Sequence, residues 1–132
     1  MDEVLKFLTD NRVFYVATVD GNVPKVRPFG FVMNYDGKLC FCTNNQKDVY
    51  KQLKANPNFE ISSTSQDGTT WLRLRAKAVF NTSRETKKAA LDTMPSLRKL
   101  YSEDDEIFEI FYADEAEATF ADLSGNSRSV KF

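Results

Sequence analysis

The sequence predicts a mainly β protein, an antiparallel β-barrel carrying short helices. Three observations carry that reading. Segments rich in β-branched and aromatic residues follow one another at short spacing. Turn pairs such as Asp36-Gly37 and Asp67-Gly68 punctuate them. The helical patterns between them are too few and too irregular to serve as crossovers of a parallel sheet.

Asp2 to Asn11 places Val4, Leu5 and Leu8 at helical spacing. Val13 to Val19, "VFYVATV", reads as the first strand. Asp20-Gly21-Asn22 turns the chain into a second strand, Lys25 to Asn34. The Asp36-Gly37 hairpin leads to a third, Lys38 to Thr43. Asp48 to Ala55 is helical, and Asn56-Pro57 stops it. Asn58 to Ser65 is a fourth strand. In "WLRLRAKAVF", Trp71 to Phe80, Leu72, Leu74, Ala76 and Ala78 share one face, and Trp71, Arg73, Arg75 and Lys77 share the other. A helical segment spans Arg84 to Leu91 and extends through Leu97 to Tyr101 after Pro95. Glu106 to Tyr112 and Glu117 to Leu123 read as two strands, with a short strand or tail after Gly125. The 132 residues make one domain, 1–132, with no repeat or linker.

Composition narrows function. A formal net charge of −1 argues against a nucleic-acid binder driven by bulk charge. No apolar run reaches the roughly 18 residues of a membrane-spanning helix, so no membrane partner is expected. "MDEVLKFLTDN" is acidic and amphipathic, unlike a secretory signal. Cys40 and Cys42 sit two apart on one strand, in parallel, a poor arrangement for a disulfide. A cytoplasmic protein with reduced cysteines is the expectation. There is no histidine, which removes the commonest general base and metal ligand. No metal site and no catalytic side chain are assigned; in an enzyme of this composition, a cofactor carries the chemistry.

Three features are candidates for a site. Arg27 in "KVRPFGF" shares a strand face with Lys25 and Phe29. It is either a phosphate clamp or a solvated strand arginine. Pro28 beside it cannot donate to a ladder and marks an edge, a bulge or a ligand meeting the backbone. Thr43 and Asn44 end a strand, and Lys47 follows at a helix start. A cation there opposes the helix dipole. Either Asn44 or Asn45 simply caps the helix with Lys47 in water, or free helix N–H groups and Lys47 form an anion site. Trp71, with Arg73, Arg75 and Lys77, is a wall for a planar anion, a single-stranded nucleic-acid face, or a plain polar outer face.

The stretch Pro24 to Ser62, "PKVRPFGFVMNYDGKLCFCTNNQKDVYKQLKANPNFEIS", resembles the FMN-binding split-barrel proteins, the pyridoxamine 5′-phosphate oxidase-like family. The shared order is an Arg-bearing strand, a hairpin, a strand ending in Thr-Asn, a Lys-bearing helix start and a helix ending in Asn-Pro. "WLRLRAKAVF" looks like the family's next strand. The resemblance implies a six-stranded antiparallel split β-barrel, homodimeric, with FMN in a groove between subunits. By position, Arg27 and Lys47 would hold the FMN phosphate. Pro28 and Phe29 would lie against the ring through their backbone, and Thr43 and Asn44 would contact ring or ribityl chain. Trp71 and Arg73 would approach the flavin from the adjacent strand, across the dimer. The oxidase's C-terminal substrate segment, with its Trp and Arg-Pro ending, is absent from this sequence, which ends "SGNSRSVKF". The nitroimidazole-reductase-like and general-stress-protein-like branches are nearer in character than the true oxidase.

The expectation is therefore an FMN-dependent oxidoreductase passing electrons to a small-molecule acceptor, with a nicotinamide donor. The alternatives are a non-catalytic flavin or deazaflavin module acting as sensor or carrier and, less favoured by charge, a nucleic-acid-binding barrel.

Overall fold

The computed structural model describes all of residues 1–132. Helix α1 spans Asp2–Asp10, followed by β1 (Phe14–Asp20), β2 (Val23–Phe29), β3 (Met33–Tyr35) and β4 (Lys38–Asn44). Helix α2 (Asp48–Ala55) leads to β5 (Asn58–Thr64) and β6 (Thr70–Phe80). Helix α3 (Arg84–Thr93) and a 3-10 turn (Pro95–Lys99) precede β7 (Phe108–Asp122) and β8 (Ser127–Lys131). The strands form one antiparallel sheet in the order β2-β1-β5-β6-β7-β4-β3, with β8 added to β7. The six long strands of that path match the number expected; β3 and β8 are short additions.

Two expected elements differ from the sequence reading. The strand anticipated over Lys25 to Asn34 breaks after Phe29, and residues Gly30 to Val32 carry the chain to β3. The two strands anticipated near the C-terminus are one 15-residue strand, β7. A register shift opposite Arg75/Lys77 and the positive φ of Glu115 (49°) absorb an irregularity without ending it. One edge of β7 serves two partners, Phe108–Asn44 through Tyr112–Cys40 with β4, and Glu117–Lys131 through Ala121–Ser127 with β8.

The link between β2 and β3 forces the sheet to curl. These strands lie at opposite ends of the path. Laid flat, six strand spacings would separate them by about 29 Å. The chain from Phe29 to Met33 reaches at most about 14 Å. The outcome is a barrel whose ladder is not closed by hydrogen bonds between its end strands. Phe14 on β1 and Phe41 on β4, four places apart in the path, meet with ring centroids 6.0 Å apart.

An aromatic core fills the curl. Phe111 is fully buried and packs against Phe29, Phe41, Phe59 and Phe80 at centroid distances of 5.5 to 6.3 Å. Helix α1 plugs this core with Val4 and Leu8, and α2 adds Val49 and Leu53. A smaller cluster under α3 gathers Phe31, Met33, Cys40, Leu91, Phe108 and Ile110. Phe31 joins this cluster and Val32 the main one, so the β2–β3 link is itself buried. Phe111→Ala should destabilise the protein by about 3–5 kcal/mol, read as a lower denaturant midpoint at unchanged slope.

Candidate functional site

The inner face of β1 begins apolar, with Phe14 and Val16, and turns polar at Thr18. On β2, Phe29 enters the aromatic core while Arg27, two residues earlier on the same face, meets Thr18. Helix α2 covers this end of the barrel and presents Gln52 to both. Arg27 Nη1 donates to Thr18 Oγ1 at 2.7 Å and to the Val16 carbonyl at 3.2 Å; its Nη2 donates to Gln52 Oε1 at 2.7 Å. Thr18 Oγ1 donates in turn to Gln52 Oε1 at 2.5 Å. Desolvation pushes the Arg27 pKa below its ordinary value, with the charge of Asp48 acting the other way. Its hydrogen-bond partners are all neutral oxygens.

This arginine opens on a cleft of about 330 Å³ lined by Lys25, Arg27, Lys47, Asp20, Asp48 and Gln52, among others. Lys47 is the N-cap residue of α2 in an extended conformation, and no side chain caps the helix. That corrects the expected capping by Asn44 or Asn45. Asn44 Oδ1 instead accepts from the Gln46 N–H at 3.0 Å, and Asn45 Nδ2 donates to the Glu106 carbonyl and to Glu109. The cleft thus combines three cations from two elements with an uncapped helix start, set against two aspartates. The arrangement suits a phosphate-sized anion.

The other expected positions fall elsewhere. Phe29 is core, and Pro28 lies exposed on the outer face opposite Tyr15. Thr43 lies on the inner face with Leu39 and Phe41. Its Oγ1 is buried and has no hydrogen-bond partner. Asn44 points away from the cleft, donating to Tyr101 Oη at 2.7 Å, and Tyr101 stacks on Phe108 at 4.4 Å. Trp71 and Arg73 occupy the outer face of β6, three strands from β2 or about 14 Å within the same chain. Trp71 lines a separate cleft of about 410 Å³ beside Phe7, Phe120 and Arg128.

Sequence reasoning missed Thr18 and Gln52. A signal existed: both are polar at positions whose alternation or helical spacing marks an inward face, next to Val16 and between Val49 and Leu53. Burial pushes the thiol pKa values up, Cys40 to about 11 and Cys42 to about 12, which disfavours the thiolate at neutral pH. No helix is long and apolar enough to cross a membrane.

Among solved structures, this chain is similar to a NimC/NimA family protein from Clostridium acetobutylicum. The two share 40% identity and a TM-score of 0.95, covering 100% of this chain and 92% of that one. General Stress Protein 26 from Bacillus anthracis shares the fold at 14% identity and TM-score 0.74, covering 98% and 97% of the two chains. A heme binding protein from Mycobacterium smegmatis shares it at 16% identity and TM-score 0.74, covering 98% of this chain and 56% of that one. A search of curated protein sequences finds no match. The family model described as pyridoxamine 5′-phosphate oxidase matches residues 1–110. The chain belongs to the pyridoxamine 5′-phosphate oxidase-like family of split-barrel proteins.

Proposed function

We propose that this protein binds FMN, with the phosphate at the Arg27–Lys47 cleft, and works as a cytoplasmic flavin-dependent oxidoreductase. The observation that carries the reading is the convergence of Arg27 and Lys47, 20 positions apart in sequence, on one cleft at an uncapped helix start. The donor set fits a phosphate monoester: one planar guanidinium, two ammonium groups and free backbone N–H groups. Bound FMN would supply hydride and electron transfer between a nicotinamide donor and a small-molecule acceptor. The chain's own part is to hold and orient it. Arg27 and Lys47 neutralise the phosphate, and the backbone at Pro28 and Phe29 borders the ring. Asn44 serves as a structural anchor here, and the buried Thr43 Oγ1, which has no hydrogen-bond partner within the chain, is left as a candidate flavin contact.

We further propose a homodimer formed through the outer face of the sheet. Tyr15 (53% exposed) and Val26 (68% exposed) form an apolar patch there with Val13 and Pro28. Trp71 and Arg73 lie on that same face, so each chain would offer them to the flavin of its partner rather than its own. Haem binding, the property named for the mycobacterial relative, is not proposed for this chain, which lacks histidine, one of the residues that hold haem iron. A non-catalytic flavin or deazaflavin carrier is the second reading, since the same phosphate-suited cleft would serve either.

The purified protein should be yellow and bind FMN in a spectroscopic titration; no binding at high micromolar FMN would overturn the proposal. Lys47→Ala should weaken FMN by about 1.5–3 kcal/mol, or roughly ten- to 150-fold, and leave riboflavin unaffected. Arg27→Ala should cost at least as much. Consumption of NADH or NADPH with turnover separates the enzyme from the carrier. Tyr15→Glu, on that face but outside the Arg27–Lys47 cleft, should shift the protein to a monomer in sedimentation and lower FMN affinity with it.

A further inference from the structure

We infer that Thr18 and Gln52 are positioning residues that keep Arg27 an uncompensated, oriented cation for a phosphate-type anion. This rests on the flavin-phosphate reading above and adds the groups that tune it.

Gln52 is 9% exposed and Thr18 3%, so neither is a surface polar group. With Arg27 they close a hydrogen-bonded triangle. Thr18 has one hydroxyl proton, which goes to Gln52 Oε1; its oxygen accepts from Arg27 Nη1. Gln52 Oε1 has two lone pairs, and Thr18 and Arg27 Nη2 use both. Each contact is 2.7 Å or shorter. The triangle fixes the plane of the guanidinium. Arg27 has five N–H donors, and three are spent on Thr18, Val16 and Gln52. Two remain, the Nε–H and one Nη2–H.

The chemistry of the acceptors matters as much as their geometry. A glutamate at position 52 would reach the same nitrogen and cancel the charge. An amide and a hydroxyl orient the guanidinium without neutralising it. The groups facing Arg27 from the surrounding elements are Lys25 on its own strand, Lys47 and Asp48 at the start of α2, and Asp20 at the end of β1. Neither aspartate comes within ion-pair distance of Arg27. A half-buried guanidinium with only neutral partners is costly until an anion arrives, and the cost is recovered on binding.

The test compares FMN, riboflavin and inorganic phosphate on the full chain carrying Gln52→Leu, Gln52→Glu, Thr18→Val or Thr18→Ser. Gln52→Leu and Thr18→Val should weaken FMN about tenfold while riboflavin affinity stays unchanged. Gln52→Glu should weaken FMN further without lowering the melting temperature, because an ion pair with Arg27 replaces the neutral contact. Thr18→Ser keeps the hydroxyl and should restore FMN affinity. If wild type binds FMN but the Gln52→Glu and Thr18→Val variants leave the FMN-to-riboflavin ratio unchanged, the inference falls and the flavin reading stands. If wild type binds neither flavin, the flavin reading falls. Inorganic phosphate then decides: stabilisation of wild type that Gln52→Glu abolishes supports the inference, and stabilisation absent or unaltered in the variants overturns it.

Discussion

Residues Gly30 to Val32 join the two outermost strands of the sheet, and this short covalent link governs the rest of the structure. A three-residue connection cannot bridge the flat width of seven strands. The sheet curls, and its inner face becomes an enclosed volume that has to be filled. Large flat side chains fill it: Phe14, Phe41, Phe59 and Phe111 arrive from four different strands and meet edge to face or tilted. The long strand β7 completes the arrangement by sharing one edge between β4 and β8, with the kink at Glu115 between them.

The same curl creates the site. Along β1 and β2 the inner face passes from phenylalanine to Thr18 and Arg27, where the barrel interior reaches the rim under α2. There a cation is neither fully solvated nor paired with a carboxylate. Gln52 and Thr18 satisfy part of its hydrogen-bonding capacity and leave the charge intact. The helix start beside it lacks a side-chain cap, so its backbone donors add to the same positive field. Lys47 opposes the helix dipole in isolation, and the anion proposed for this cleft would answer both.

Most elements were legible in the sequence because their patterns are local. The alternation in "WLRLRAKAVF" became β6, with Leu72 and Leu74 fully buried and Arg73 exposed. Asp48 to Ala55 proved to be a helix with the expected bounds. The break after Phe29 escaped notice because Gly30, Phe31 and Val32 continue an apolar run. What ends the strand is the need to cross the barrel, not a local stop signal. The join through Ala113 to Ala116 escaped for the opposite reason: these four residues have low strand propensity, yet Ala113 and Asp114 pair with Ala78 and Lys77 of β6, and Ala116 exchanges backbone hydrogen bonds with Phe132 across the register shift. Asn44 and Lys47 are three residues apart, yet one turns toward Tyr101 and the other toward Arg27's cleft.

The sequence by itself determined the β-rich class, the order of the elements and the absence of histidine, and it marked Arg27 and Lys47 as candidates for holding a phosphate. Only the tertiary structure decided that these two share a cleft, that Gln52 and Thr18 hold Arg27, and that Trp71 and Arg73 face away in the same chain. The reason is physical. Propensity and periodicity fix which face a residue occupies within its own element. Which faces meet depends on how the sheet curls, and that is set by chain reach and core packing between residues far apart in sequence.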